Sequence, residues 1–286
     1  MLPIGLGLGA AASIGVGSFA VGIASRRLPA VIVSFWNQVI GGSICAILLL
    51  LLHPPLIAGQ VPWGLAAGLA GGTGSYLLYR AMSVGAISLV APITACSVII
   101  PVTYSILTGE VLTALVAAGI LAMIAGVIIT SLQPVPVPGD PTDLGPTKDR
   151  EAVSYAISAA LAFGVFFILI DFAPLASGWS ALWTAGAVRI AGLAVTMVLL
   201  LLSRTRLVIP GRVTPLIAIS GTLDLTSLIL IGIGASTNAY GLVTALVGLY
   251  PVITTLLGVI LLGERLTRIQ TGGAVLAMTG VMLVSI

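Results

Sequence analysis

The chain reads as long apolar runs separated by short polar breaks. Cutting it at charges, prolines and glycine clusters leaves ten runs, over 3–23, 29–52, 62–83, 86–108, 112–132, 153–173, 179–203, 213–235, 240–262 and 267–286. Each approaches the length of about 20 residues that a helix needs to cross the bilayer hydrocarbon. Only helices and closed barrels satisfy every backbone polar group there. The pattern predicts an all-α membrane protein with ten transmembrane helices. One polar stretch interrupts it, "PVPVPGDPTDLGPTKDRE" at 134–151, rich in proline and holding four of the eight acidic residues. Such a composition reads as a solvated linker.

The two sides of that linker repeat each other. Shifted by 154 positions, "LTGEVLTALVAAGILAMIAGVIITSL" (107–132) lies on "LLGERLTRIQTGGAVLAMTGVMLVSI" (261–286) without a gap. Gly109 and Glu110 meet Gly263 and Glu264, Thr113 meets Thr267, and Gly119 and Gly126 meet Gly273 and Gly280. The chain divides into a first five-helix repeat (1–132), a polar linker (133–152) and a second five-helix repeat (153–286).

Five is odd, so the second copy must enter the membrane from the opposite side, and the charges agree. Arg26 and Arg27 occupy the first loop; its counterpart "APLASGWS" (173–180) is uncharged. The loop "HPPLIAGQVP" (53–62) has no Lys or Arg; its counterpart holds Arg204, Arg206 and Arg212. Arg80 borders the third loop, and the matching region near Asn238 is uncharged. Glu110 is alone in the fourth loop, whereas Arg265 and Arg268 accompany Glu264. Ten of the eleven basic residues therefore share one side, and the eleventh, Arg189, lies inside a run. Lys and Arg are retained on the cytoplasmic side. Both termini are expected on the other side of a multi-pass protein of the bacterial inner membrane, with the linker cytoplasmic. No basic stretch precedes the first run, the reverse of a secretory signal, so that run is expected to remain as a helix. Inverted repeats are a known construction of secondary transporters, with the substrate site near the midplane.

Composition narrows the function further. The chain is 59% hydrophobic and 7% charged, with mean hydropathy +1.24, against about 25% charged residues in soluble domains. The net charge of +3 matters less than where the charges stand. Cys45 and Cys96 fall within apolar runs and read as small buried hydrophobes. There is one histidine (His53, read as interfacial), no acidic cluster outside the linker and no phosphate-cradling loop. An enzyme, an ATP-driven pump, a cofactor, a metal or a nucleic-acid partner is therefore not expected. A channel usually repeats a filter around a symmetric oligomer, and no filter-like stretch is present. Monomer and homodimer both stay open.

Two five-helix repeats, each closing with Gly-Glu, a short turn and a glycine-containing last helix, resemble the EamA-type transporters of the drug/metabolite transporter superfamily. The likeness is greatest in the second half: Pro251, then "VITTLLGVILLGERLT", then Gly273 and Gly280. The first half departs, with Ser97 at the position of Pro251 and Pro92 and Pro101 flanking it. The resemblance implies a ten-helix exporter or exchanger of small organic metabolites such as amino acids, nucleosides or toxic cations. Glu110 and Glu264 are expected to act locally, near the N-termini of the helices that follow them, with Thr113 and Thr267 as N-caps.

Few ionisable residues fall inside the runs. Asp224, in "SGTLDLTSL", lies about 11 residues into its run, roughly 16 Å deep. Arg189 enters the preceding run from the other side and reaches roughly 15 Å. An unpaired charge at that depth costs at least roughly 2.5–3.5 kcal/mol, so both must face the interior or a wet cavity. The bland alternative is an ion pair that only fixes helix packing. The candidate substrate-binding set adds Tyr76 and Tyr79 at i and i+3, Phe163 and Phe167, Trp183, Tyr250 and Asn37, which with Trp36 and Gln38 forms a polar island. Each aromatic alone is as well explained by packing or an interfacial belt; together they suit a small, partly apolar molecule. Arg80 reads as snorkelling, and the Gly5–Gly9 and Gly68–Gly72 pairs as sites of close helix approach. The expected function is exchange or export of a small metabolite. Neutral or aromatic amino acids are favoured because both charge signs stand at one depth. Asp224 is also a candidate for proton coupling. The alternative is export of lipophilic cations, using Asp224 and the aromatics.

Overall fold

In the computed structural model, the structure describes residues 2–108, 114–131, 146–174, 178–235, 243, 246–247, 249–264 and 266–284. Among them, all regular structure is helical. In chain order the helices are α1 (Leu2–Ser25), α2 (Ala30–Leu52), α3 (Gln60–Val84), α4 (Ile87–Ala95), α5 (Ile99–Leu107), α6 (Ala114–Ser131), α7 (Pro146–Asp171), α8 (Ala181–Leu202), α9 (Thr214–Ala235), α10 (Tyr250–Leu262) and α11 (Arg268–Val284). Five stretches, Leu2–Ser25, Ala30–Leu52, Arg150–Asp171, Ala181–Leu202 and Gly211–Gly234, are long and apolar enough to cross a membrane.

The ends of the helices follow local chemistry. Pro29 precedes α2, and the left-handed His53 (φ 44°) stops it ahead of Pro54 and Pro55. Helix α7 opens on Pro146, whose missing N–H is no loss at a first helical position. It thereby extends into the segment expected to be linker. The run 86–108, expected as one helix, is instead α4 and α5 joined by a 3₁₀ turn at Cys96–Val98. Pro101 lacks the N–H that would reach back to Ser97, which is the physical reason for the break, whereas Pro92 is accommodated inside α4.

Helix α3 packs on α7 and α8, α1 on α9 and α10, α2 on α8 and α9, and α6 on α11. Small residues set these distances. A Cβ on Gly68 would stand 2.6 Å from the Val188 carbonyl oxygen, and one on Gly72 2.6 Å from Gly192 Cα. That pair makes the close approach its spacing predicts. The Gly5–Gly9 pair does not: among the described residues nothing lies within 4 Å of a Gly5 Cβ, and a Cβ on Gly9 meets only the end of Leu230, at 3.3 Å. Between α6 and α11 the contact is reciprocal. A Cβ on Gly126 would come 2.6 Å from the Gly273 carbonyl oxygen, and one on Gly280 2.6 Å from that of Gly119.

The bundle has two unlike ends. At one, Arg26 pairs with Glu264 and Arg80 with Glu151, the latter at 3.2 Å. At the other, Gln60 Nε2 donates to the Ser180 carbonyl (3.1 Å), Trp183 Nε1 to that of Pro54 (2.9 Å), and Trp63 stacks on Phe172 with ring centroids 4.8 Å apart. Leu50, Leu51, Ile190, Leu201, Leu202 and Ile260 stand exposed on the flanks. In water such a surface would drive association; in a bilayer it is lipid contact.

Candidate functional site

Halfway along α8, Arg189 turns into the bundle and is 92% buried. Its Nη1 donates to Asn37 Oδ1 and to Gln38 Oε1, both at 3.2 Å. Both acceptors belong to α2 and are themselves buried. Asn37 Nδ2 donates onward to Ser220 Oγ on α9 at 3.0 Å. One turn further along α9 stands Asp224, whose Oδ2 is 3.6 Å from Arg189 Nη2. That is an ion pair at the margin of hydrogen-bonding distance.

Glycines make room for the cluster. A Cβ on Gly41 would lie 3.1 Å from Arg189 Cζ, and one on Gly17 of α1 3.3 Å from Asp224 Oδ1. A Cβ on Gly192 would overlap the Gln38 amide at 2.5 Å, and one on Gly221 would lie 3.2 Å from the Gly41 backbone nitrogen. Four helices thus bring polar groups and bare backbone to one level. In the low dielectric of the interior, an arginine held by two neutral amides keeps a strong positive field. It can receive an anionic group, and Asp224 can receive a cationic one.

The structure gathers part of the residue set singled out in the sequence. Arg189, Asp224 and Asn37 meet directly. Tyr79 is buried with Val33 and Ile217; its phenol lies beside Ser220 and in the field of Asp224 and Arg189. Tyr76 packs at the margin of the same cluster, against the group of Ile32 and Leu200. The others stand apart from the charges. Trp183 is tied to Pro54 at the end that lacks arginine. The Phe163 ring covers Gly74. Phe167 is exposed and meets Phe166 edge-on. Tyr250 opens α10, where its backbone carbonyl abuts Gly15 of α1. Ser220 and the four glycines are the members that sequence reasoning did not place at the site, while Gln38 joins it from the polar island around Asn37. The signal available was the stretch "SGTLD" itself, where Ser220 and Asp224 sit at i and i+4 on one helix face.

A second polar centre lies at the charged end. Gly263 takes the left-handed conformation (φ 65°) that ends α10, and the Glu264 N–H returns to the Gly258 carbonyl. This turn sends the Glu264 carboxylate away from its own helix. It accepts hydrogen bonds from the backbone N–H groups of Ile87 (3.1 Å) and Ser88 (2.9 Å) at the start of α4, and pairs with Arg26. Arg26 also donates to the Gly85 carbonyl at 3.2 Å. The expectation that Glu264 serves the helix that follows it is thereby corrected. That helix is capped by Thr267 and Gln270, which exchange side chain-to-backbone hydrogen bonds in a capping box. Glu110 and Thr113 lie outside the described residues. Arg80 pairs with Glu151 and lies 5.6 Å over the Tyr155 ring.

An all-helical bundle with long apolar helices, exposed apolar flanks and a charged, glycine-lined centre defines an integral, multi-pass membrane protein. A sequence model of the EamA-like transporter family matches residues 1–132 and 150–286, and the chain belongs to that family, a family of transporters rather than of enzymes. None of the curated proteins matches it. A solved crystal structure of a protein aligns over 97% of this chain and 95% of its own at 16% identity, with TM-score 0.62. At that identity the likeness is one of fold.

Proposed function

We propose that the chain is a secondary transporter that exchanges or exports small zwitterionic metabolites, neutral or aromatic amino acids first among them, by alternating access around Arg189 and Asp224. The observation that carries this reading is the buried Arg189 paired with a carboxylate at 3.6 Å in the middle of the bundle, where ionisable groups are costly and mark substrate or proton pathways. Here the centre as a whole sums to zero charge, which suits a molecule carrying one charge of each sign.

Ten transmembrane helices in two inverted five-helix repeats supply the moving parts of this reading. Three observations support that arrangement: the 154-residue repeat, the reciprocal glycine contacts of α6 and α11, and the gathering of the loop Lys and Arg at one end. The contact of α3 with α7 has its repeat-exchanged counterpart in that of α1 with α9. In this scheme the charged end is cytoplasmic and Glu264 holds it closed. Opening requires Glu264 to leave Arg26 and α4, while the opposite end closes around the substrate.

The test is counterflow in proteoliposomes. Vesicles preloaded with an unlabelled amino acid should accumulate the labelled form transiently and saturably. The panel should contain neutral, aromatic and charged amino acids and a lipophilic cation. Accumulation of the cation alone would overturn the amino-acid assignment, and flux linear in concentration would overturn the carrier reading.

A further inference from the structure

The arginines at the charged end are not alike. Arg26 is paired with Glu264 and Arg80 with Glu151. Arg204, Arg206 and Arg212 are exposed and have no carboxylate partner among the described residues. They stand within "RTRLVIPGR" (204–212), in the connection from α8 to α9. Arg27, also exposed and unpaired among the described residues, comes beside them, because Leu28 and Ala30 pack in one cluster with Val213 and Ile217. Between the arginines, Leu207, Val208 and Ile209 are 47, 44 and 82% exposed. The segment has a built shape. Left-handed Arg204 (φ 51°) and Gly211 (φ 57°) turn the chain at its two ends, and Trp36 Nε1 donates to the Val208 carbonyl at 2.9 Å. Trp36 stands six residues after Ala30, the first residue of α2. The carbonyl it meets therefore lies within about 9 Å of that helix start, at the depth of the headgroup–acyl boundary. The segment lies back along the flank of the bundle instead of projecting from its end. A loop carbonyl at that depth is costly without a donor, and the indole supplies one.

We propose that residues 204–212, with Arg27, form a docking surface for anionic phospholipid of the leaflet they face. The charges are complementary: unpaired guanidinium groups match phosphate oxygens with two parallel hydrogen bonds each, and every basic residue held near an anionic leaflet adds to the attraction. The apolar triplet selects the source of that phosphate. A soluble anion would leave Leu207, Val208 and Ile209 in water, whereas a bilayer takes the triplet into its acyl boundary and the arginines among its headgroups. Position gives the surface a consequence. The segment joins the end of α8, the helix of Arg189, to the start of α9, the helix of Asp224, and Trp36 ties it to α2 next to Asn37. A headgroup held between Arg206 and Arg212 therefore braces the three helices that build the polar centre. This surface stands independently of the transporter reading.

Thermal melting of the purified protein in a neutral detergent tests it without any transported substrate. Phosphatidylglycerol and phosphatidylcholine are titrated at equal mole fraction. Phosphatidylglycerol should raise the melting temperature saturably, by about 3 °C or more beyond phosphatidylcholine. About 0.5 M sodium chloride should remove most of that difference. Arg204→Gln/Arg206→Gln should raise the half-maximal phosphatidylglycerol concentration about tenfold. Arg150→Gln/Arg268→Gln removes as many exposed arginines from the same end and should leave it within about twofold. Leu207→Ser/Ile209→Ser should weaken phosphatidylglycerol severalfold and keep its preference over phosphatidylcholine. All of these positions are exposed, so melting without lipid should match wild type. Equal shifts by the two lipids overturn the proposal without any variant. Equal losses in the two double arginine variants overturn it too, since the attraction then belongs to the whole charged end. An unchanged response after Leu207→Ser/Ile209→Ser, or a shift reproduced by glycerol phosphate alone, replaces the lipid surface with a plain phosphate site and contradicts it.

Discussion

Arg189 and Asp224 face each other from the middles of adjacent helices with 3.6 Å between Nη2 and Oδ2, and the gap is as informative as the pairing. A carboxylate and a guanidinium in an apolar bundle attract strongly. That they stay apart reflects the two amides that hold Nη1 from α2. The proposed transport role requires this pair to be attractive yet separable.

Energetic coupling between the two should be measurable. Removing one partner of a buried pair strands the other, at a cost of about 3 kcal/mol or more. Arg189→Met and Asp224→Leu should each destabilise by about that much in denaturant unfolding in micelles. The double variant should be less damaged than the sum of the singles. Strict additivity would show that the two side chains do not sense each other.

Glu264 should behave as a latch. Its carboxylate joins α4 to Arg26, and Glu264→Gln gives up a charged helix cap worth about 1–2 kcal/mol. Gly258→Ala should mimic it, because a Cβ there would sit 2.8 Å from Glu264 Oε2. Both changes should speed maleimide labelling of a cysteine placed at Ser25, which is buried next to Arg26. Labelling as slow as in the parent would exclude a gating role for Glu264.

Glycine substitutions should separate sharply by position. Gly72→Val drives side-chain atoms into α8 at a point where even a Cβ would meet Gly192 Cα at 2.6 Å. Overpacking of this kind costs about 1–3 kcal/mol. Gly5→Ala meets nothing within 4 Å among the described residues and should leave the melting temperature unchanged or slightly raised, since alanine is the better helix former. Equal effects at the two positions, read by thermal melting, would contradict the packing described.

Much of this was legible in the sequence because bilayer physics leaves few choices. Apolar length marked most helices to within a few residues, and the duplication marked the reciprocal contacts of Gly126 and Gly280. The depth estimate brought Asp224 and Arg189 to one level because helical rise is nearly constant. Rotation about a helix axis is not fixed in that way. Trp183 and Phe167 share helices or levels with the site, yet one anchors to Pro54 and the other faces outward. Glu264 was misread for a related reason: the left-handed Gly263 turns it towards α4, a partner far away in sequence. The break between α4 and α5 was announced by Pro101, but prolines within a run do not say whether it kinks or ends.

Membrane orientation gives a further check. With ten crossings and the arginine-bearing loops inside, a reporter fused after Ile286 should be active as alkaline phosphatase and dark as green fluorescent protein. The opposite pattern would invert the assignment of Glu264 to the cytoplasmic gate.

The most direct test of the central claim is counterflow of a neutral amino acid by wild type, Asp224→Asn and Arg189→Gln in matched proteoliposomes, with folding verified by melting in detergent. The account predicts saturable exchange by wild type and loss of at least about tenfold in each folded variant. Undiminished exchange by both variants would contradict it, leaving Arg189 and Asp224 as a structural pair and the transport site elsewhere in the bundle.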